Sequence, residues 1–161
     1  MTQYTLGIDI GSTTVKTALL NTSGTLVFSA YERHYADIQG TLSKILAAAR
    51  EQLGPFEVRA AITGSGGLTL AGHMKLPFLQ EVVAVASALQ QYAPRTDVAI
   101  ELGGEDAKII YFTGGIEQRM NGICAGGTGS FIDQIAALLK NEATALNEYA
   151  KRNQAIYPNA E

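Results

Sequence analysis

Residues 7–16 read Gly-Ile-Asp-Ile-Gly-Ser-Thr-Thr-Val-Lys, and the organisation of the whole chain follows from this segment. Apolar residues precede its polar centre and alternate after it, which predicts two strands joined by a tight turn. Gly11 lets the backbone adopt conformations that other residues avoid, and residues 12–14 add hydroxyl and N–H groups of the kind that hold phosphate oxygens. Asp9, at the end of the first strand, suits a hydrated Mg²⁺. The segment predicts a phosphate loop, although an ordinary hairpin with a Gly-Ser-Thr turn has the same pattern.

The composition excludes several classes of function. The chain has 161 residues, of which 47% are hydrophobic and 17% are charged, so it can bury a folded core. Its net charge is −3 and its Lys and Arg residues are not clustered, so no nucleic-acid partner is expected. No apolar run approaches the roughly 20 residues that cross a bilayer, so no membrane partner is expected either. One cysteine forms no internal disulfide, which predicts a cytoplasmic protein.

The first part of the chain predicts a meander followed by helices. Strands beginning at Tyr4, at 15–20 and at 25–31 are joined by short turns. His34 follows them and is interpreted as a surface or hydrogen-bonding residue. A helix capped by Thr41 ends at Gly54-Pro55, a strand covers 58–63, and a helix covers 81–92. The glycine-rich turn 64–67 is either a ligand-binding turn or a flexible loop.

The pattern of the first strands recurs in the second part of the chain. Strands are predicted at 98–102, 107–112 and 116–120, and Ile8-Asp9-Ile10-Gly11 has the same apolar, acidic, apolar, glycine order as Ile100-Glu101-Leu102-Gly103. If the two segments lie in related lobes, Asp9 and Glu101 face each other across one cleft. Such a cleft suits a magnesium nucleotide, with one turn holding the metal and the other orienting a water.

Residues 121–130 read Asn-Gly-Ile-Cys-Ala-Gly-Gly-Thr-Gly-Ser and lead into a predicted helix with an apolar stripe. A glycine-rich loop at a helix N-terminus is expected to present free N–H groups and a partial positive charge, which favour phosphate. A final helix, capped by Thr144, is predicted to run to about Lys151.

With these motifs in hand, the chain resembles the BadF/BadG/BcrA/BcrD ATPase family of 2-hydroxyacyl-CoA dehydratase activators and benzoyl-CoA reductase ATP-binding subunits. That family lies within the acetate kinase–sugar kinase–Hsp70–actin superfamily. The resemblance extends from about Tyr4 to Tyr157 and rests on segments 7–16, 63–66, 100–108 and 121–129. Arg33-His34 and the pair of Glu101 and Glu105 look most like the N-terminal domain of the very large multidomain members.

The resemblance implies an α/β fold. Residues 1–95 would form an RNase H-like (actin-like ATPase) lobe, with a mixed sheet flanked by helices, and residues 96–161 an incomplete second lobe of the same type. It further implies a protein that binds ATP and Mg²⁺ and is a homodimer sharing one [4Fe–4S] cluster. ATP hydrolysis would drive electron transfer from that cluster to a 2-hydroxyacyl-CoA dehydratase or a benzoyl-CoA reductase-type partner.

The family's site residues carry over onto matching positions of this sequence. Asp9 would lie near Mg²⁺ and Cys124 would be a cluster ligand, while Asp9, Glu101 and Glu105 are the candidate catalytic residues. The candidate nucleotide-binding residues are Gly11, Ser12, Thr13, Thr14, Lys16, Gly103, Gly104, Gly127, Thr128 and Gly129. Members usually have Asp at position 101 and Gln at position 105, so which carboxylate handles water stays open.

Two further expectations concern the extent of the chain and the competing functions. The family's second cluster cysteine and its adenosine-binding segment would follow Glu161, so the chain is expected to be a fragment of a longer protein. One alternative is a small-molecule kinase of the same superfamily, acting on a sugar or a carboxylate, in which Glu101 activates a substrate hydroxyl. Another is a non-catalytic, nucleotide-gated scaffold related to actin.

Overall fold

A computed structural model of the protein describes residues 2–121 and 128–155. The chain forms two compact units. The first comprises Met1–Ala99 with Ile109–Arg119, and the second comprises Ile100–Lys108 with Met120–Glu161. The predicted lobe boundary between residues 95 and 96 stays a prediction.

A mixed four-stranded sheet forms the centre of the first unit. Its strands are β1 (Thr2–Ile10), β2 (Thr14–Leu20), β3 (Leu26–Arg33) and β4 (Phe56–Thr63), in the order β3-β2-β1-β4. β2 is antiparallel to β1 and to β3, whereas β4 is parallel to β1. Phe78 adds a single parallel bridge outside β4, where Leu79 N–H donates to Ile62 O at 2.8 Å. The predicted meander is confirmed, and the mixed sheet matches the predicted fold class.

Alternation along the strands separates the two faces of this sheet. Leu6, Ile8 and Ile10 of β1 are buried, whereas the residues between them are not. The buried face packs against α1 (Ile38–Leu53) and α2 (Gly67–Met74), and α3 (Glu81–Tyr92) follows along the chain. The core cluster consists of Leu6, Ile8, Ile10, Val15, Leu19, Leu42, Ile45, Ala49, Ile62 and Ala71. Each large apolar side chain in it contributes about 1.5–3 kcal/mol by burial, so this face holds the unit together.

A second sheet has the order β5-β6-β7, with β5 at Val98–Leu102, β6 at Ala107–Tyr111 and β7 at Glu117–Met120. In the described part of the chain, three helices follow this sheet: α4 (Gly129–Leu138), a short 3-10 helix (Ala143–Ala145) and α5 (Leu146–Lys151). The predicted apolar stripe of α4 is mostly exposed, since Phe131, Ile132, Leu138 and Leu139 all retain more than a third of their surface. Among the described residues of the second unit, burial is confined to Thr128 and Ala136.

Several element boundaries differ from the sequence-based expectation. β5 and α3 are confirmed at their predicted bounds. Thr41 was expected to cap α1, but the helix begins at Ile38, because the Asp37 side chain accepts a hydrogen bond from Gly40 N–H at 2.9 Å. Thr144 was expected to cap the last helix, but it lies inside the 3-10 helix and Ala145 holds the cap position of α5. In the described ranges, no helix is long and apolar enough to span a membrane.

The corrected cap of α1 gives a direct test. We expect Asp37→Ala to lower the free energy of unfolding by about 1 kcal/mol, because one N–H group of the first helical turn loses its acceptor. Thr41→Ala is the matched control and should change stability by less than about 0.5 kcal/mol, because alanine has the higher helix propensity. Urea unfolding measures both, and a larger cost for Thr41→Ala than for Asp37→Ala would contradict the assignment.

Candidate functional site

The phosphate loop predicted from the sequence is the hairpin between β1 and β2. Gly11 N–H donates to Thr14 O at 2.9 Å, which closes the hairpin and leaves Ser12 and Thr13 at its tip. Within the described part of the chain, the N–H groups of Ser12 and Thr13 donate no hydrogen bond. The tip therefore carries adjacent backbone donors suited to anionic oxygens.

His34, just after β3, holds both sides of this hairpin. Its backbone N–H donates to Thr13 O at 3.1 Å. Its Nδ1 accepts a hydrogen bond from Ala36 N–H at 3.1 Å, so the proton of the neutral ring is on Nε2, which donates to Gly11 O at 3.2 Å. The side chain is 7% exposed, which corrects the surface interpretation and confirms the hydrogen-bonding one. The loop is thus fixed by a side chain that the motif itself does not contain.

Asp9 and Lys16 lie directly opposite each other on β1 and β2. Lys16 Nζ donates to Asp9 Oδ2 at 2.8 Å, and Nζ also lies 5.4 Å from the centroid of the Tyr31 ring. The Asp9 side chain is 26% exposed, and its second oxygen, Oδ1, is buried with no hydrogen-bond partner. A carboxylate that is only half paired while largely removed from water is well suited to a cation or to its water shell.

The turn after β4 closes the other side of Asp9. Thr63 is the register partner of Asp9 on β4, and Gly66 N–H donates to Ile10 O at 2.9 Å. Gly64 has φ +94°, and a Cβ atom there would lie 2.3 Å from Ile10 O and 2.4 Å from Asp9 Oδ1. A glycine is therefore required for this close approach. These contacts argue against a flexible loop, whereas ligand binding by turn 64–67 stays a prediction.

Three polar side chains of adjacent strands thus share the sheet face opposite the core, in the order Lys16, Asp9, Thr63. They border a cavity of about 430 Å³ on that face. The remaining lining residues are small or apolar apart from Thr17, and are Gly7, Ile8, Ala18, Ala61, Ile62, Leu79, Ala84 and Ala88. Thr63 was not among the predicted site residues, because only the parallel pairing of β1 with β4 places it beside Asp9.

The second unit contains an acidic turn with the same local design. Lys108 Nζ donates to Glu101 Oε1 at 3.1 Å, seven residues apart, as Lys16 does to Asp9. Glu101 Oε2 is buried with no hydrogen-bond partner, and Gly103 N–H donates to Asp106 O at 2.7 Å, closing the turn. Glu105 lies in the same turn and is exposed. The repeat predicted from the sequence therefore extends to the ion pair.

The third candidate loop requires a correction. Gly129 N–H donates to Gly103 O at 2.9 Å, and Ser130 N–H donates to Gly104 O at 2.7 Å. The sequence predicted free N–H groups at the start of α4, but these two are already used within the protein and are not available to phosphate. Thr128 is 1% exposed, and its hydroxyl oxygen has no hydrogen-bond partner. The predicted roles of Cys124 and Gly127 fall on positions outside the described residues.

The predicted residues fall into two sets, one in each unit. Asp9, Lys16 and residues 11–14 are together in the first, and Glu101, the turn 103–106 and Gly129 are together in the second. That the two sets face one cleft stays a prediction. Among the described residues no three His, Cys, Asp or Glu side chains form a metal-binding group. One carboxylate with a hydroxyl nearby still fits Mg²⁺, which keeps most of its water ligands.

The fold is that of the actin-like ATPases. The chain belongs to the BadF/BadG/BcrA/BcrD ATPase family, whose sequence profile matches residues 6–158.

Characterised relatives give the same assignment. The chain is 29% identical to the (R)-2-hydroxyglutaryl-CoA dehydratase activating ATPase of Acidaminococcus fermentans, over 95% of this chain and 60% of that protein. It is 30% identical to the activator of lactoyl-CoA dehydratase of Anaerotignum propionicum, over 94% of this chain and 58% of that protein. The structure of the 2-hydroxyisocaproyl-CoA dehydratase activator from Clostridium difficile with bound ADPNP has a TM-score of 0.81 at 26% identity, over 96% of this chain and 59% of that one. The chain thus spans about three-fifths of the length of these relatives.

The close contact at Gly64 can be separated from ordinary backbone strain. Gly64→Ala should lower the free energy of unfolding by about 2–5 kcal/mol, because its Cβ would overlap Ile10 O and Asp9 Oδ1 at a φ that alanine disfavours. Gly24 also has a positive φ, +80°, but has open space around it, so Gly24→Ala should cost only about 1 kcal/mol. Equal costs in urea unfolding would contradict the packed arrangement of the turn.

Proposed function

We propose that this chain is the nucleotide-binding part of an ATP-hydrolysing activator, which couples hydrolysis to low-potential electron transfer into a partner enzyme. The observation that carries the proposal is the hairpin tip. Ser12 and Thr13 offer unused N–H donors there, and the half-paired carboxylate of Asp9 lies at the base of the same hairpin. Family membership supports the same activity.

In this proposal the N–H groups of the hairpin tip bind terminal phosphate oxygens, and Lys16 supplies a positive charge beside them. The buried Oδ1 of Asp9 and the close approach at Gly64 fit a hydrated Mg²⁺ at the base of the loop. When bound, Mg²⁺ would neutralise charge on the phosphates. His34 keeps the loop carbonyls of Gly11 and Thr13 turned away from the anion by donating a hydrogen bond to each of them.

Hydrolysis requires that a water molecule attack the γ-phosphorus while the bond to the β–γ bridging oxygen breaks. The products are ADP and phosphate, and the water loses a proton to a base or to solvent. We propose Glu101 as the residue that orients this water, because its second oxygen is buried and lacks a partner, whereas Glu105 is exposed. Lys108 Nζ donates to the other oxygen of Glu101, Oε1, at 3.1 Å and would hold the carboxylate in position.

The names of the relatives indicate the partner. Because two are named as activators or activating ATPases of 2-hydroxyacyl-CoA dehydratases, we propose a dehydratase of that type, or a related benzoyl-CoA reductase, as the protein that receives the electron. We also propose that the activator is a homodimer.

A [4Fe–4S] cluster is the group that would supply the electron. Its usual donor set is four thiolates, whereas this chain contains one cysteine and a dimer of it would contain two. The residues present therefore do not make a complete site by themselves. We propose Cys124 as one ligand, with the remaining thiolates supplied from outside these residues.

The role of Asp9 is tested in the protein at its natural length. Asp9→Asn should lower the rate of phosphate release from MgATP at least about 100-fold, because the charge beside Mg²⁺ is lost, while the thermal unfolding midpoint changes little. Glu57→Gln neutralises an exposed carboxylate on β4 of the same sheet and should leave the rate unchanged. Undiminished hydrolysis by Asp9→Asn, or phosphate appearing on a sugar or carboxylate instead of in solution, would contradict the proposal.

The role of Cys124 is tested by anaerobic purification of the natural-length protein. Cys124→Ser should lose its iron and its visible absorption, because one thiolate ligand is removed, and should still bind MgATP. Retained nucleotide binding serves as the control for folding. A variant that keeps its iron content and its spectrum would show that Cys124 is not a ligand.

A further inference from the structure

We propose that Thr63, at the end of β4, is a further magnesium-binding residue of the nucleotide site, its hydroxyl contacting the water shell of the same ion as Asp9. The inference rests on the proposed function, since it assumes that a magnesium nucleotide binds at the β1–β2 hairpin. The sequence motif places the site on β1 and β2, and Thr63 would add a residue from β4.

The register of the sheet brings the two oxygens together. Asp9 and Thr63 are direct partners in the parallel pairing of β1 with β4, so their side chains project from the same face on strands about 4.8 Å apart. Both residues line the same cavity of about 430 Å³. Asp9 is also the register partner of Lys16, which engages Oδ2 and leaves Oδ1 for another contact.

Both oxygens lack a partner at this place. Asp9 Oδ1 and Thr63 Oγ1 are each buried with no hydrogen bond. A buried carboxylate oxygen and a buried hydroxyl without partners each destabilise the folded protein, so a ligand that satisfies both at once is favoured. Carboxylate and hydroxyl oxygens are hard donors, which suits hydrated Mg²⁺ rather than a softer metal.

The turn that follows Thr63 is built for close approach to the hairpin. The backbone of Gly64 packs so closely against Asp9 Oδ1 and Ile10 O that there is no room for a Cβ, and Gly66 N–H fixes the turn to Ile10 O. The Thr63 hydroxyl is therefore attached to a backbone that is held against the phosphate loop. Its position does not depend on a mobile connection.

Thr17 shows what a purely structural threonine does in the same sheet. It is 4% exposed, and its hydroxyl oxygen also lacks a partner. Thr17 also borders the cavity, but its register partner is Ile8, so its side chain projects with the core residues and away from the Asp9 face. Thr17 is thus a matched control for Thr63, because it has the same side chain but points to the opposite face of the sheet.

The experiment uses the natural-length protein and a non-hydrolysable ATP analogue, and measures the free Mg²⁺ concentration that gives half of the nucleotide-dependent thermal stabilisation. Thr63→Val should raise that concentration about fivefold to tenfold, because one hydrogen bond to a metal-bound water is lost. Thr63→Ser should restore it to within about twofold of the unmodified protein. Thr17→Val should leave it unchanged, and Thr63→Ala is the second hydroxyl-free variant if valine is not tolerated on β4.

The outcomes separate this inference from the proposed function. If the unmodified protein shows Mg²⁺-dependent stabilisation and both hydroxyl-free Thr63 variants match it, the role of Thr63 is overturned while nucleotide binding stands. An equal effect of Thr17→Val and Thr63→Val would also overturn it, because the effect would then come from the fold. If the unmodified protein shows no Mg²⁺-dependent stabilisation, the proposed function is overturned together with this inference.

Discussion

The pairing of β1 with a strand on each side is the constraint on which the candidate site depends. β2 brings Lys16 to one side of Asp9 and β4 brings Thr63 to the other, and both contacts are set by backbone register. A slip of one residue in either pairing would move the partner side chain to the opposite face of the sheet. The buried face prevents such a slip, because Leu6, Ile8 and Ile10 would then leave the core. Core packing therefore determines the geometry of the polar face.

That polar face is costly to the folded protein, and the cost is itself informative. An exposed ion pair contributes only about 0–1 kcal/mol, so the contact of Lys16 with Asp9 does little to offset an oxygen buried without a partner. Gly64 adopts its positive φ without strain, but a glycine loses more backbone conformational entropy on folding than other residues do, which lowers stability at the same point. A buried polar group without a partner calls for an explanation, and a bound ion or ligand is one such explanation. In the first unit, one face of the sheet supplies the core packing and the opposite face carries the candidate site.

Local sequence was sufficient for those parts of the structure that depend on near neighbours. The hairpin with Asp9, the meander, and the bounds of α3 and β5 all follow from periodicity and turn residues. The burial of His34 and the contact of Gly64 with Asp9 were not predictable in this way, because each joins segments more than 20 residues apart. The cap of α1 was missed for a local reason, since Asp37 and Thr41 are both good cap residues and the apolar stripe alone does not choose between them.

The two acidic turns share an acid, a glycine two residues later and a lysine seven residues after the acid, and in both the lysine pairs with one carboxylate oxygen. They differ in what the following backbone does. In the second unit, the carbonyls of Gly103 and Gly104 are occupied by N–H groups of α4, so that turn is tied to a helix. In the first unit, no described helix donates to the carbonyls of Ser12 or Thr13, and the N–H groups of these two residues have no acceptor in the described part of the chain. The same hydrogen bond, from the glycine N–H to the carbonyl three residues later, closes both turns, so they differ in how their carbonyls are held and not in how the turn itself is formed.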